Sequence, residues 1–163
     1  MARNVFTSFH YVPDNWRAST VRNIGKIEGN TVATANKWET VTNGGDAAIK
    51  KWINDNMTGK SCVIVLVGQD TANRKWINYE IERAWSEKKG IFGINIHNLK
   101  NRDLEKSTKG DNPFDYFDFG SKKLSSVLKC YNPPYTDSQK VYNYIRENIE
   151  DWIEEAIEIR NNN

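Results

Sequence analysis

The chain has 163 residues, of which 38% are hydrophobic and 27% charged, and its formal net charge is +2. This length suits one domain with a proper core, and we predict a single domain over residues 1–160 with a frayed tail at 161–163. So small a charge, without a basic stripe, gives no argument for nucleic-acid binding. No stretch approaches the ~18 apolar residues of a membrane span, and no signal peptide is recognised. We therefore expect a cytoplasmic protein without nucleic-acid or membrane partners, whose two isolated cysteines are reduced thiols rather than metal ligands.

The first third of the chain predicts one clear strand and one helix. Residues 5–9 alternate as in a strand, and Pro13 ends that pattern. Asp14 is expected to cap a helix that runs from about residue 15 to residue 24. A short second strand is expected near residues 31–35, in a polar stretch that carries little pattern.

The centre of the chain predicts a strand–helix–strand unit. A turn at residues 44–46 opens a helix that Gly59 ends. Residues 62–67 form a continuous apolar run of the kind that a parallel strand buried on both faces needs. A helical pattern follows to about residue 88, and residues 91–96 form another strand-like run.

The last third is harder to assign. Residues 98–123 are rich in Lys, Asp, Gly and Asn, and a connection of this length is usually functional or contains short elements. Residues 124–131 are expected to hold a final strand. Thr136 or Asp137 then caps a long amphipathic helix with an acidic outer face.

Strands that alternate with helices imply a parallel sheet with right-handed crossovers. About five strands predict an α/β, flavodoxin-like, three-layer fold with the strand order 2-1-3-4-5. Its switch point lies between the first and third strands, so residues 8–14 and 68–76 are expected to line the same crevice.

The helix after Asp70 carries the most promising chemistry. Glu80 lies beside the apolar stripe of this helix, and Trp76 lies one turn earlier on the same flank. Arg74 and Lys75 add positive charge at the helix N-terminus, which by itself favours anions such as a pyrophosphate. From the pattern alone, a solvated Glu80 and a Trp76 that covers the sheet edge are the more frequent explanation.

Three other side chains have open roles. His10 follows the first strand and either forms a hydrogen bond to a ligand or caps a turn. His97 ends the fourth strand, where a structural role is the more frequent one. Trp38 either stacks on a base or nicotinamide ring or anchors its loop.

In several blocks the chain resembles bacterial TIR domains, and most closely the TIR-like proteins of the Thoeris anti-phage defence system, the ThsB family. The blocks follow the family order through roughly the first two thirds of the chain, which makes the likeness stronger than any single motif. The matching residues are Val5-Phe6-Thr7-Ser8-Phe9-His10, Val63-Ile64-Val65-Leu66-Val67-Gly68-Gln69-Asp70-Thr71, Arg74, Trp76, Glu80-Ile81 and Gly93-Ile94-Asn95-Ile96-His97-Asn98-Leu99.

This resemblance implies an enzyme that cleaves the nicotinamide–ribose bond of NAD and cyclises the product to a cyclic ADP-ribose isomer. It assigns the catalytic role to Glu80 and makes NAD a substrate rather than a cofactor. The residues themselves show no metal-ligand cluster, so we expect no metal. The resemblance also implies a homo-oligomer, a phage-derived trigger, and an effector protein reached through the nucleotide product. Many catalytic members have basic residues after the Ser-aromatic pair, where this chain has His10 and Tyr11. The substrate-binding residues that we assign are Phe6, Ser8, Phe9, His10, Trp38, Asp70, Arg74 and Trp76.

Three other functions remain open at this point. A non-catalytic TIR adaptor would act only by protein–protein assembly and would not need Glu80. A phosphoacceptor receiver would use Asp70 and Lys129, but the first strand lacks the acidic pair that holds magnesium. A sensor would bind a nucleotide without converting it.

Overall fold

The computed structural model describes residues 3–29 and 40–163, and its centre is a five-stranded parallel sheet. The strand order is β2-β1-β3-β4-β7, which confirms the predicted order because β7 occupies the fifth position. The expected second strand at residues 31–35 lies outside the described residues, and the structure has β2 just before it. The strands are β1 (Arg3–Ser8), β2 (Ile27–Gly29), β3 (Cys62–Val67), β4 (Gly90–Asn95), β5 (Asp118–Phe119), β6 (Lys122–Lys123) and β7 (Cys130–Tyr131).

Helices cover both faces of this sheet. They are α1 (Tyr11–Arg22), α2 (Gly45–Met57), α3 (Lys75–Ser86) and α4 (Ser138–Asn161). α1 and α4 pack on one face with Ile64 of β3, and α2 and α3 pack on the other with Val63 and Val65. All six residues of β3 are buried, as a strand covered on both faces requires. The fold is therefore the predicted three-layer α/β fold. No helix within residues 3–29 and 40–163 is long and apolar enough to cross a membrane.

α1 begins earlier than the sequence predicts. His10 is its N-cap residue, so the expected start near residue 15 is wrong. Pro13 lies in the first turn, where its missing N–H costs no helical hydrogen bond and therefore does not end an element. Asp14 does not cap the helix either: its side chain is buried and pairs with Arg17.

The last strand is also shorter than expected. Only Cys130–Tyr131 pairs with β4, and part of the predicted strand forms a 3₁₀ helix at Leu124–Ser126. Asp137 caps α4 by accepting a hydrogen bond from the backbone N–H of Lys140 at 3.0 Å. The helix includes Asn161, the first of the three terminal asparagines.

The long connection after β4 is held to the rest of the fold by Arg17. This side chain is only 3% exposed. Its guanidinium donates to the carbonyl oxygens of Leu99 at 2.7 Å and Glu105 at 2.9 Å, and to Asp14 at 3.1 Å. The other Asp14 oxygen faces Gly68, where any Cβ would lie 2.1 Å from it. Arg17 and Asp14 thus tie α1, the end of β3 and the following connection together.

Arg17→Met should lower the free energy of unfolding by about 3–5 kcal/mol, because it leaves Asp14 buried without its partner and removes the donor to the carbonyl groups of Leu99 and Glu105. Urea denaturation measures the loss, and the double change with Asp14→Asn should recover part of it. Arg3→Met is the matched control, since its pair with Glu154 is half exposed and should change stability little. Equal losses in the two single variants would contradict this role of Arg17.

Candidate functional site

A cavity of about 840 Å³ opens at the carboxyl ends of β1 and β3, between the start of α1 and the start of α3. This is the switch point of the sheet, where α/β folds of this kind bind ligands. Its volume lies within the range of small-molecule sites. The lining residues used below are Phe9, His10, Trp52, Asp70, Arg74, Trp76, Glu80, Asp111 and Tyr116.

Glu80 lies in the second turn of α3, with its carboxyl group buried at the cavity and only 7% of the residue exposed. The Ser8 hydroxyl at the end of β1 donates a hydrogen bond to Glu80 Oε1 at 2.8 Å. Burial raises the pKa of Glu80 to about 8, and the Ser8 hydrogen bond opposes this by favouring the ionised form. The carboxyl group is therefore largely protonated at neutral pH, and a cation beside it would favour its ionisation.

Aromatic side chains form much of the cavity wall. Trp76 packs edge-on against Tyr79 with ring centroids 5.7 Å apart, and the Lys75 ammonium lies 4.8 Å from the Trp76 ring centroid. Phe9 and Tyr11 stack at 6.1 Å on the opposite side, where α1 begins. Such walls lower the local dielectric around Glu80 and offer flat surfaces to a ring-shaped ligand.

The rim of the cavity carries both positive and negative charge. Arg74 is the exposed N-cap residue of α3, and Lys75 forms an ion pair with Asp46 at 2.7 Å. Burial, followed by the charge of Arg74, lowers the pKa of His10, so its imidazole is neutral at pH 7. Positive charge near an anionic ligand therefore comes from Arg74 and the helix N-terminus rather than from His10.

The loop between β3 and α3 has a fixed shape. The Gly68 N–H donates to the Thr71 hydroxyl at 2.8 Å, and Thr71 is fully buried. Asn73 adopts a positive φ of 60°, a conformation that asparagine tolerates better than most residues. This loop presents Asp70 and Arg74 to the cavity.

The structure brings most of the predicted site residues together. Phe9, His10, Asp70, Arg74, Trp76 and Glu80 all line the cavity. Ser8 is 1% exposed and acts through Glu80, while Phe6 is fully buried and contacts the lining residue Trp52 edge-on at 6.4 Å. Trp38 lies outside the described residues. Binding roles for these side chains stay predictions.

The lining residues that sequence reasoning missed include Trp52 on α2, and Asp111 and Tyr116 in the long connection after β4. Trp52 belongs to the apolar stripe of its helix and carried no separate signal. For the other two, the length of the connection was a signal of function, but no pattern pointed to individual residues.

The arrangement suits chemistry that develops positive charge. A single buried carboxyl group at the cavity can stabilise a cation in a low-dielectric setting, and a ligand hydroxyl can donate to it. Within residues 3–29 and 40–163, no group of three or more His, Cys, Asp or Glu side chains is placed to hold a metal ion.

Comparison with known proteins identifies the family. The family described as "Thoeris protein ThsB, TIR-like domain" matches residues 6–101. The chain belongs to this ThsB family. It is also 36% identical over 136 residues to a Bacillus cereus (strain MSX-D12) protein named "Putative cyclic ADP-D-ribose synthase ThsB1". That alignment covers 80% of this chain and 71% of the relative. The family match includes Ser8, Trp76 and Glu80 but ends before Asp111 and Tyr116.

Ser8→Ala should reduce turnover of a substrate that needs ionised Glu80 by about tenfold at neutral pH, since hydrogen bonds to charged groups are worth about 1.5–3 kcal/mol. Losing this donor raises the pKa of Glu80 further, so the pH profile of kcat/KM should move to higher pH. Ser86→Ala, at an exposed position on the same helix as Glu80, serves as the control. A lower kcat/KM with an unmoved pH profile would contradict the assigned role of Ser8.

Proposed function

We propose that this ThsB-family protein cleaves the nicotinamide–ribose bond of NAD and joins the product into a cyclic ADP-ribose isomer. The observation that carries this proposal is Glu80, buried at the aromatic-walled cavity and oriented by Ser8. The name of the Bacillus cereus relative, "Putative cyclic ADP-D-ribose synthase ThsB1", supports the same reaction.

The bond that breaks joins the ribose anomeric carbon to the nicotinamide ring nitrogen. Nicotinamide takes the electron pair and leaves as a neutral molecule, so no general acid is needed, unlike in the two-carboxylate glycosidases. The ribose develops oxocarbenium character. The Glu80 carboxylate stabilises this charge and accepts a hydrogen bond from a ribose hydroxyl.

Cyclisation requires that a hydroxyl or ring nitrogen of the same molecule replaces water as the nucleophile. It forms a new bond to the anomeric carbon, and when a hydroxyl attacks, its proton is released. A substrate folded against the aromatic walls would meet this need, because it would displace water from the cavity and hold the nucleophile close to the carbon.

In this proposal the chain works in anti-phage defence. A phage-derived trigger starts the reaction, and the nucleotide product carries the signal to a separate effector protein. The enzyme acts in the cytoplasm as a homo-oligomer and uses NAD as substrate, without a metal.

The test is chromatography of small molecules from phage-infected cells that express the wild-type chain, together with the purified protein incubated with NAD. A new ADP-ribose-like nucleotide, formed with release of nicotinamide, is the expected result. If linear ADP-ribose were the sole product, the proposed cleavage would be supported and the proposed cyclisation would be contradicted. Protection against phage without any such nucleotide would overturn the proposal in favour of an adaptor.

A further inference from the structure

A segment of the long connection lies beside the cavity and contributes two of its lining residues, Asp111 and Tyr116. We call residues 107–116 the strap. At its start, Ser107 N–H donates to the His97 carbonyl at 2.8 Å, and Thr108 N–H donates to Gln69 Oε1 at 3.3 Å. Gly110 lies against the end of β3, where any Cβ would come within 2.2 Å of the Gly68 carbonyl oxygen. The strap is thus held in contact with the loop that presents Asp70 and Arg74.

The far end of the strap is fixed by the core. Phe114 is fully buried among residues of β3 and α3. The Asn112 side chain caps the 3₁₀ helix Pro113–Tyr116 by accepting from the Phe114 N–H at 2.9 Å. Tyr116 is therefore set on a short rigid element rather than on a free loop.

Asp111 and Tyr116 project from this strap into the cavity lining. The Tyr116 hydroxyl donates to Asp111 Oδ2 at 3.1 Å, which leaves Oδ1 able to accept from a ligand. Tyr116 is 46% exposed, and its ring has no aromatic partner among the described residues. One carboxylate beside one accessible aromatic face is an arrangement that suits a base carrying an amino group.

Charge divides the cavity into regions. Arg74 and the N-terminus of α3 suit a pyrophosphate, whereas the Asp111 carboxylate would repel one. Glu80 is buried and Tyr116 is half exposed, so the two lie at different depths. If the scissile ribose lies at Glu80 and the phosphates lie near Arg74, the opposite end of the dinucleotide reaches the strap.

We propose that Tyr116 and Asp111 form the adenine subsite of this enzyme, with the Tyr116 ring stacked on the base and Asp111 accepting from its exocyclic amino group. This assignment rests on the proposed function, because that function places the other end of the substrate at Glu80. The two residues are specificity-determining: they select an amino-bearing base and hold it while the reactive ribose stays at Glu80.

ADP-ribose is the probe that tests the subsite without requiring turnover. Titration calorimetry should show that Tyr116→Ala weakens ADP-ribose binding by about tenfold, the scale of one base–aromatic stack. Binding of nicotinamide mononucleotide, which lacks the adenine, should change less than twofold. Tyr135→Ala is the matched control, since Tyr135 is 42% exposed but is not among the residues that line the cavity.

The base preference provides a second measurement. The hypoxanthine counterpart of ADP-ribose has a carbonyl in place of the amino group and should bind the wild-type chain more weakly, because it faces the Asp111 carboxylate. Asp111→Asn should reduce this preference, since an amide can also donate to a carbonyl. Gly110→Ala should lift the strap and weaken ADP-ribose binding while both contact residues remain unchanged.

Two results would overturn the subsite: undetectable binding of ADP-ribose to the wild-type chain, or equal effects of Tyr116→Ala on ADP-ribose and the mononucleotide. Neither result bears on NAD cleavage, which the release of nicotinamide measures separately. Conversely, if the protein binds ADP-ribose through Tyr116 but never releases nicotinamide from NAD, the subsite assignment stands and the proposed reaction is contradicted.

Discussion

Glu80→Gln is expected to slow nicotinamide release from NAD by about 10²–10³-fold, the scale for removing one preorganised electrostatic group from a water-excluded site. The amide has the shape of the carboxyl group and can still accept from Ser8, so the fold should persist. What disappears is the negative charge that faces the oxocarbenium-like ribose. Nicotinamide release and the nucleotide products, quantified by chromatography under the conditions used for the wild-type chain, measure the effect.

Glu82→Gln is the matched control for this variant. Glu82 lies on the same helix two residues later but is exposed, so the same chemical change there should leave the rate within twofold. Far-ultraviolet circular dichroism should be the same for all three proteins. Unchanged turnover in Glu80→Gln would remove this residue from the reaction, and an equal loss in Glu82→Gln would point to the charge of the helix rather than to the site.

The sheet could be predicted from sequence because its strands are buried on both faces. A strand such as β3 must be apolar throughout, and this produces a signal that does not depend on distant parts of the chain. β7 gave a poor signal because only two of its residues pair with β4. The start of α1 was missed because Pro13 is typical both of a strand end and of a first helical turn.

The candidate site likewise has features that follow from local sequence and features that depend on distant parts of the chain. The shared flank of Glu80 and Trp76 could be predicted because both lie on one regular helix whose register follows from the sequence, whereas the roles assigned to them come from the family resemblance. The Ser8–Glu80 hydrogen bond joins residues 72 positions apart, and only the parallel pairing of β1 with β3 brings them together. Asp111 and Tyr116 depend on where an irregular connection crosses the sheet, which residues such as Gly110 and Phe114 decide through contacts with distant backbone and core.

The stability of the wild-type chain should contain a component that falls as the pH rises from about 4.5 to about 8, because burial raises the pKa of Glu80 to about 8 from its ordinary 4.5. Over this range the folded state keeps a proton that the unfolded state has released, so folding is favoured below it and loses this contribution above it. Each unit of difference in pKa is worth about 1.4 kcal/mol, which makes the total several kcal/mol. Urea denaturation at a series of pH values measures this slope.

Glu80→Gln isolates that component, because the amide does not titrate. The variant should lose less stability than the wild-type chain between pH 5 and 9, while other groups, such as the exposed pair of Arg3 and Glu154, contribute equally to both. For the active enzyme the same ionisation should make kcat/KM for NAD rise with pH, reach half its maximum near pH 8 and level off above that, since the reaction needs the carboxylate. Parallel stability curves for the two proteins would mean that Glu80 ionises at its ordinary pH in the folded state, and an activity maximum at acidic pH would contradict a reactive carboxylate.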